Sequence, residues 1–365
     1  MSPRQLLPAA VPLALNRVWR TYAGGSVLRA FRGRGHTPDD HFPEDWLASV
    51  VRARNGANTQ GPDEGLSRLG NDGAAQETFA KALQENPAFW LGARQAGRNG
   101  MGVLWKLLDS SVRLQIQAHP DAAFARNYLQ SDAGKTECWY ILATREQACV
   151  YLGFQHPPAR AAWGRMIREQ QGMLECFDRI DVKAGDCYVV PAGTPHAIGA
   201  GVFMVELMEP TDWVVRCETV GTGITLSPEA CFMGLELERC LDVFDYRAYS
   251  VEQVRRAFQQ PPRVLRATAG CVEEELITPP WHGYFRLHRL RGGGETNWPG
   301  GELQLLIAIS GEGELSVGEE GRRVGAGQTW LLPGAASEWR WRNLTSSWEV
   351  LLAKLPMTPA SGAYK

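Results

Sequence analysis

Apolar and polar residues follow two different rhythms along this chain. From about 60 to 110, apolar residues recur three and four apart, in AAQETFAKALQENPAFW and again in GVLWKLLDS, with Gly and Pro as breaks. That spacing predicts a helical stretch. From Val112 the rhythm shortens to two. In VRLQIQAH, Val112, Leu114 and Ile116 alternate with Arg113, Gln115 and Gln117, as a strand with one buried face requires. ECWYILA, CVYLGF, FDRIDV, CYVVPAG and VFMVELM follow as short strands between Gly, Pro and Asp turns. A polar, helical stretch at about 227–262 then separates them from a second β series, YFRLHRL, LQLLIAIS, GELSVG, QTWLLPG and WEVLLAKL. Many short strands with this punctuation predict a mainly β protein of antiparallel barrels or sandwiches. GAGQTWLLPG in the second series is similar in form to GDCYVVPAG in the first. Two jelly-roll units are therefore expected. The first spans 1–262, with a helical insertion at about 60–110 and a helical linker at about 227–262. The second spans 263–365.

The length of 365 residues agrees with two units, and 44% hydrophobic residues suffice for two ordinary cores. Charge changes the picture by exclusion. With 38 basic and 40 acidic residues and no long basic run, the chain lacks the concentrated positive surface that nucleic acid demands. No stretch approaches the roughly 20 apolar residues of a membrane span. The opening MSPRQLLPAAVPLAL is interrupted by two prolines and lacks a small-residue cleavage site, so it reads as an N-terminal strand or arm rather than a signal peptide. Eight scattered cysteines without a CxxC pair read as reduced, buried thiols of a cytoplasmic protein.

Seven histidines allow each to be weighed. His119 stands two residues after Gln117, which in a strand places both side chains on one face. Glu137 opens the next strand, and His196 lies in the turn PAGTPHAIG. An amide oxygen, a carboxylate and two imidazoles form a mixed N/O donor set suited to a divalent cation such as zinc, and a set without cysteine suggests catalysis rather than a closed structural site. On spacing alone, ligand and hydrogen-bonded structural roles stand level for His119 and His196. His36, His41, His156, His282 and His288 read as structural.

Three segments carry a resemblance. LDSSVRLQIQAHPD, GKTECWYIL and PAGTPHAIGAGVFMVELMEPTDWVVR are similar to motifs of the class I mannose-6-phosphate isomerases, and NRVWRTYAGG and PEDWLAS match more loosely. The likeness covers roughly residues 15–220. It implies a pair of cupin jelly-roll β-barrels with a helical insert. It implies one zinc ion per chain on Gln117, His119, Glu137 and His196, with Lys135, Glu206 and Arg216 around the substrate. Placed in VFMVELM, Glu206 is an acid that is costly to bury without a partner or a role.

The implied activity is interconversion of mannose 6-phosphate and fructose 6-phosphate, in which a proton moves between C1 and C2 through a cis-enediol. Lys135 and Arg216 would add positive charge, Arg216 with a planar fork suited to phosphate. Relatives often carry a lysine shortly after the arginine; RCETVGTGITLSPEA offers none, while extra arginines occur near the N-terminus. Alternatives at this stage are an isomerase of another sugar or sugar phosphate, a non-catalytic metal-containing cupin that binds sugars, and an iron cupin oxygenase. The second β series shows no ligand set and is expected to be a metal-free support.

Overall fold

The computed structural model describes residues 9–70, 77–98, 100–221 and 223–357. Residues 1–8 of the N-terminal arm and 71–76 and 99 of the expected helical stretch lie outside them.

The first half is a pair of facing antiparallel sheets. One has six strands in the order Arg17–Val18, Glu44–Leu47, Leu104–Ser110, Val202–Met208, Glu137–Thr144 and Cys187–Val190. The other has five, in the order Val215–Arg216, Gln117–Ala118, His196–Ile198, Cys149–Leu152 and Ile180–Asp181. Between them lies an apolar core that includes Leu114, Trp139, Ile141, Val150, Tyr188 and Ile198. The fold is the mainly β, cupin-type architecture expected, built here as paired sheets.

GVLWKLLDS departs from its helical expectation. Leu104–Ser110 is a strand, buried at every position because the sheet is covered on both faces. Such a strand shows no alternation, and Leu104, Leu107 and Leu108 imitate helical spacing. Among the described residues, helix in the 60–110 stretch is confined to Phe79–Glu85 and Pro87–Leu91, each capped by a side chain, Thr78 and Asn86 respectively. VRLQIQAH, conversely, pairs as a regular strand only at Gln117–Ala118. In the 227–262 stretch the helices are Pro228–Cys231, Leu237–Cys240 and Val251–Phe258, the last closed by a Ser250–Gln253 capping box.

The outer face of the six-stranded sheet, with Leu107, Cys138, Tyr140, Val205 and Leu207, packs on a seven-stranded sheet of the second half through Leu287, Leu305, Ile307, Leu351 and Ala353. The N-terminal strand Val11–Pro12 joins that second sheet, pairing with Thr329–Leu332. A four-stranded sheet covers its far side. The space between holds Trp298, Trp339, Trp341 and Trp348, so it is filled with side chains. At Gly313 a Cβ would meet the Trp341 ring at 2.2 Å, which is why only glycine fits there. All eight cysteines are buried and none is in a disulfide.

Candidate metal centre

Register places the residues in two facing rows. On the five-stranded sheet Gln117 is the cross-strand partner of both His196 and Arg216, so the three side chains stand side by side on one face. On the six-stranded sheet Glu206 is flanked by Lys106 on one strand and Trp139 on the other, and Glu137 begins the latter. Glu206 and Arg216 therefore reach the same cavity from opposite sheets.

His119 follows the Gln117–Ala118 strand, and its carbonyl accepts from the Gly193 amide at 2.7 Å, which pins the turn that presents His196. Gly193 has φ 85°, a conformation that favours glycine, and a Cβ would press on the Val243 carbonyl at 2.9 Å. His119 Nδ1 donates to the Trp213 carbonyl at 2.8 Å and His196 Nδ1 to the Thr194 carbonyl at 2.9 Å. A carbonyl can only accept, so both imidazoles carry their proton on Nδ1 and present a bare Nε2 to the cavity. Glu137 meets them there, with Oε1 at 3.0 Å from His119 Nε2 and Oε2 at 3.7 Å from His196 Nε2. One donor atom from each of the three residues lies within 4.8 Å of the others, and all three residues are buried. Among the described residues no other His, Cys, Asp and Glu group is so arranged. The Gln117 side-chain amide nitrogen lies 3.3 Å from His196 Nε2, at the edge of this cluster.

Electrostatics suit a cation. Burial, then the Lys135 charge, pushes His119 down to about 3, and burial lowers His196 as well, so both imidazoles are neutral at neutral pH. Burial alone would raise Glu137, but Lys135 and then His119 hold it well below the usual carboxylate range. Lys135 Nζ stands 2.9 Å from Glu137 Oε1 and 3.2 Å from His119 Nε2. The donors therefore fit a divalent ion with nitrogen and oxygen ligands.

A second polar cluster adjoins the first, with little in the residue pattern to announce it. Glu206 Oε2 lies 2.5 Å from Lys106 Nζ, and Trp139 Nε1 donates to both Glu206 Oε1 at 3.3 Å and Glu137 Oε2 at 3.2 Å. Two carboxylates thus share one cavity. Burial first, then the Glu137 charge, pushes Glu206 up to about 8 against the pull of Lys106 and Lys135. Lys106 also reaches Glu44 at 3.3 Å, which pairs with Arg20 at 2.9 Å and accepts from Tyr22 Oη at 2.6 Å. Arg20 continues to Asp212 at 3.2 Å. Lys106 was hidden inside the segment that imitates a helix. The available signal was a lysine enclosed by apolar residues, which needs a buried partner. Arg216 lines the same cavity, and its guanidinium donates to the Ala230 carbonyl at 3.1 Å. The other histidines with a described contact are structural: His41 bonds the Arg20 carbonyl, His156 Asp178, His282 the Ile277 carbonyl and His288 Glu273.

No family model matches the chain. A probable mannose-6-phosphate isomerase of Bacillus subtilis is 27% identical over 334 residues, covering 90% of this chain and 93% of that protein. The crystal structure of the mannose 6-phosphate isomerase from Bacillus subtilis superposes with a TM-score of 0.73 at 20% identity, over 95% of this chain and 100% of that one. A mannose 6-phosphate isomerase bound with zinc and yttrium superposes with a TM-score of 0.66 at 15% identity, over 95% and 100% of the two chains. Along nearly its whole length the chain is thus similar to mannose-6-phosphate isomerases, in the expected fold and with a His–Glu–His cluster set between its sheets.

Proposed function

We propose that the chain is a zinc-dependent isomerase that interconverts mannose 6-phosphate and fructose 6-phosphate, with one zinc per chain on Gln117, His119, Glu137 and His196. The observation that supports this most is the convergence of two bare Nε2 atoms on an ionised Glu137 in a buried cavity. When bound, the metal supplies Lewis acidity to the carbonyl and hydroxyl oxygens of the sugar. The residues around it do the rest. Lys135 places positive charge beside the oxygens that become negative in the enediolate, and Arg216, where the cavity meets the outer cleft, offers its planar fork to the phosphate. Glu206, pushed up to about 8, exchanges a proton with the substrate near neutral pH, a role worth on the order of 100- to 10,000-fold. Lys106 and Trp139 fix its carboxyl by contacts at 2.5 and 3.3 Å. Three positive side chains and a proton-exchanging carboxyl around the metal cluster favour isomerisation over the oxygenase alternative.

Residues 1–262 are taken as the catalytic unit and 263–365 as its support. No helix among the described residues is long and apolar enough to cross a membrane; a cytoplasmic site of action is part of the same proposal.

The test is a coupled assay for fructose 6-phosphate formed from mannose 6-phosphate, with metal content measured on the same sample. Turnover that a chelator abolishes and zinc restores is the expected result. Bound zinc without turnover would remove mannose 6-phosphate as the substrate and redirect the search to other sugars or to a binding role.

A further inference from the structure

The metal cavity is too small for a hexose phosphate. Its volume is about 40 Å³, space for one or two waters. Beside it opens a cleft of about 730 Å³, within the range of small-molecule sites. Thr21, Asp212, Val214 and Arg216 line both, so the two are contiguous. A substrate that reaches the metal cluster with its carbonyl end must leave its far end in the outer cleft.

Two arginines line that cleft, Arg216 and Arg54. Among the described residues neither lies within ion-pair distance of a carboxylate. Arg54 is exposed, yet it is held in place. Its amide donates to Asp212 Oδ2 at 2.8 Å, and the side chain of its neighbour Asn55 accepts from Arg20 at 3.0 Å. The Arg54 guanidinium lies over the Trp213 ring at 3.8 Å. Stacking occupies the face of the guanidinium and leaves its edge, where the N–H donors are, available to two oxygens at once. Two acids face the same space. Asp212 is neutralised by Arg20, and Glu229, on the Pro228–Cys231 helix, is exposed and screened by water.

We propose that Arg54, stacked on Trp213, is a specificity-determining residue that grips the substrate phosphate together with Arg216, supplying the cation missing from the segment after Arg216. This rests on the isomerase reading.

The experiment compares wild type, Arg54→Gln and Arg54→Lys. Arg54→Gln raises KM for mannose 6-phosphate by about 10- to 100-fold, the loss expected for a charged hydrogen-bonding partner, with kcat within about twofold. Arg54→Lys falls between, because it keeps the charge and loses the fork. Inhibition by glucitol 6-phosphate relative to glucitol isolates the phosphate from any contact with the metal. That ratio falls by a similar factor in Arg54→Gln. An unchanged KM together with an unchanged ratio in Arg54→Gln overturns the assignment. Should wild type lack turnover, the isomerase reading fails by itself. Calorimetric binding of glucitol 6-phosphate to the zinc-loaded wild type and Arg54→Gln then decides the subsite: weaker binding in the variant supports it, equal binding overturns it.

Discussion

The Nδ1 proton of His119 is given to the main-chain carbonyl of Trp213 at 2.8 Å, so the tautomer of one ligand is set by the segment that also carries Asp212 and leads to Arg216. Because a carbonyl fixes the proton, the Nε2 lone pair is committed to the cavity before any ion arrives. His119→Ala removes that donor, and Glu137→Gln removes the charge that faces it. Each variant is expected to lose its zinc and to lose activity by more than the roughly 10- to 100-fold typical of an outer-shell change, while remaining folded by circular dichroism. Stoichiometric metal in both variants would refute the ligand assignment.

Acid should strip this site late. Metal competes with protons for its ligands, and an ordinary histidine begins to lose that competition near pH 6.5. Burial depresses His119 to about 3 and lowers His196, so protons compete poorly. Zinc is expected to survive dialysis at about pH 5.5, about one pH unit below where ordinary histidines protonate. Elemental analysis after dialysis at a series of pH values checks this, and complete release above pH 6 would contradict it.

Lys135 lies 2.9 Å from Glu137 without belonging to the donor set. Lys135→Met is expected to retain zinc and to lose turnover on the order of 100- to 10,000-fold, as for a positioned group acting in the transition state. Parallel measurement of kcat and metal content separates this from loss of the site.

Glu44 links catalysis to stability. Burial alone would raise its carboxyl, but Arg20 and then Lys106 hold it well below the usual carboxylate range. A carboxylate depressed in the folded state stabilises the fold above its unfolded value, about 4.3, and that contribution is lost as pH falls towards the folded value. Glu44→Gln leaves Arg20 and Lys106 buried without it and should cost about 3–5 kcal/mol. Urea unfolding of the two proteins should differ most near neutrality and converge in acid.

The tryptophan-filled sandwich of the second half offers a control. Trp341→Ala should cost about 3–5 kcal/mol, and Gly313→Ala about 1–3 kcal/mol by forcing the ring aside. At temperatures where the variants stay folded, zinc content and kcat should match wild type. A selective loss of kcat would assign that half a part in the chemistry.

The His119, Glu137 and His196 cluster could be seen in the sequence because these residues sit where local signals are strong. Gln117 and His119 share a face of an extended segment, and His196 is presented by a turn whose Gly193 needs a positive φ. The neighbouring polar network could not be seen in the same way. Lys106 lies on a strand covered on both faces, which erases the period of two, and Glu44 meets it only through pairing between distant strands, with Arg20 and Tyr22 brought in from the loop after Arg17–Val18. Arg54 is a loop residue among several arginines, and only its stack on Trp213 distinguishes it. The helical expectation for GVLWKLLDS failed for the same reason that hid Lys106: continuous burial carries no periodicity.

The pairing of Val11 with Leu331 has a bearing on how the protein is made. The first described strand leaves the ribosome long before its partner exists. It must wait, unpaired, until nearly the whole chain has been synthesised, while the six-stranded sheet keeps an apolar face open for the same late arrival. Truncation within the last strands should therefore expose both the N-terminal strand and the back of the metal-bearing sandwich, giving an aggregation-prone nascent chain rather than a smaller working enzyme.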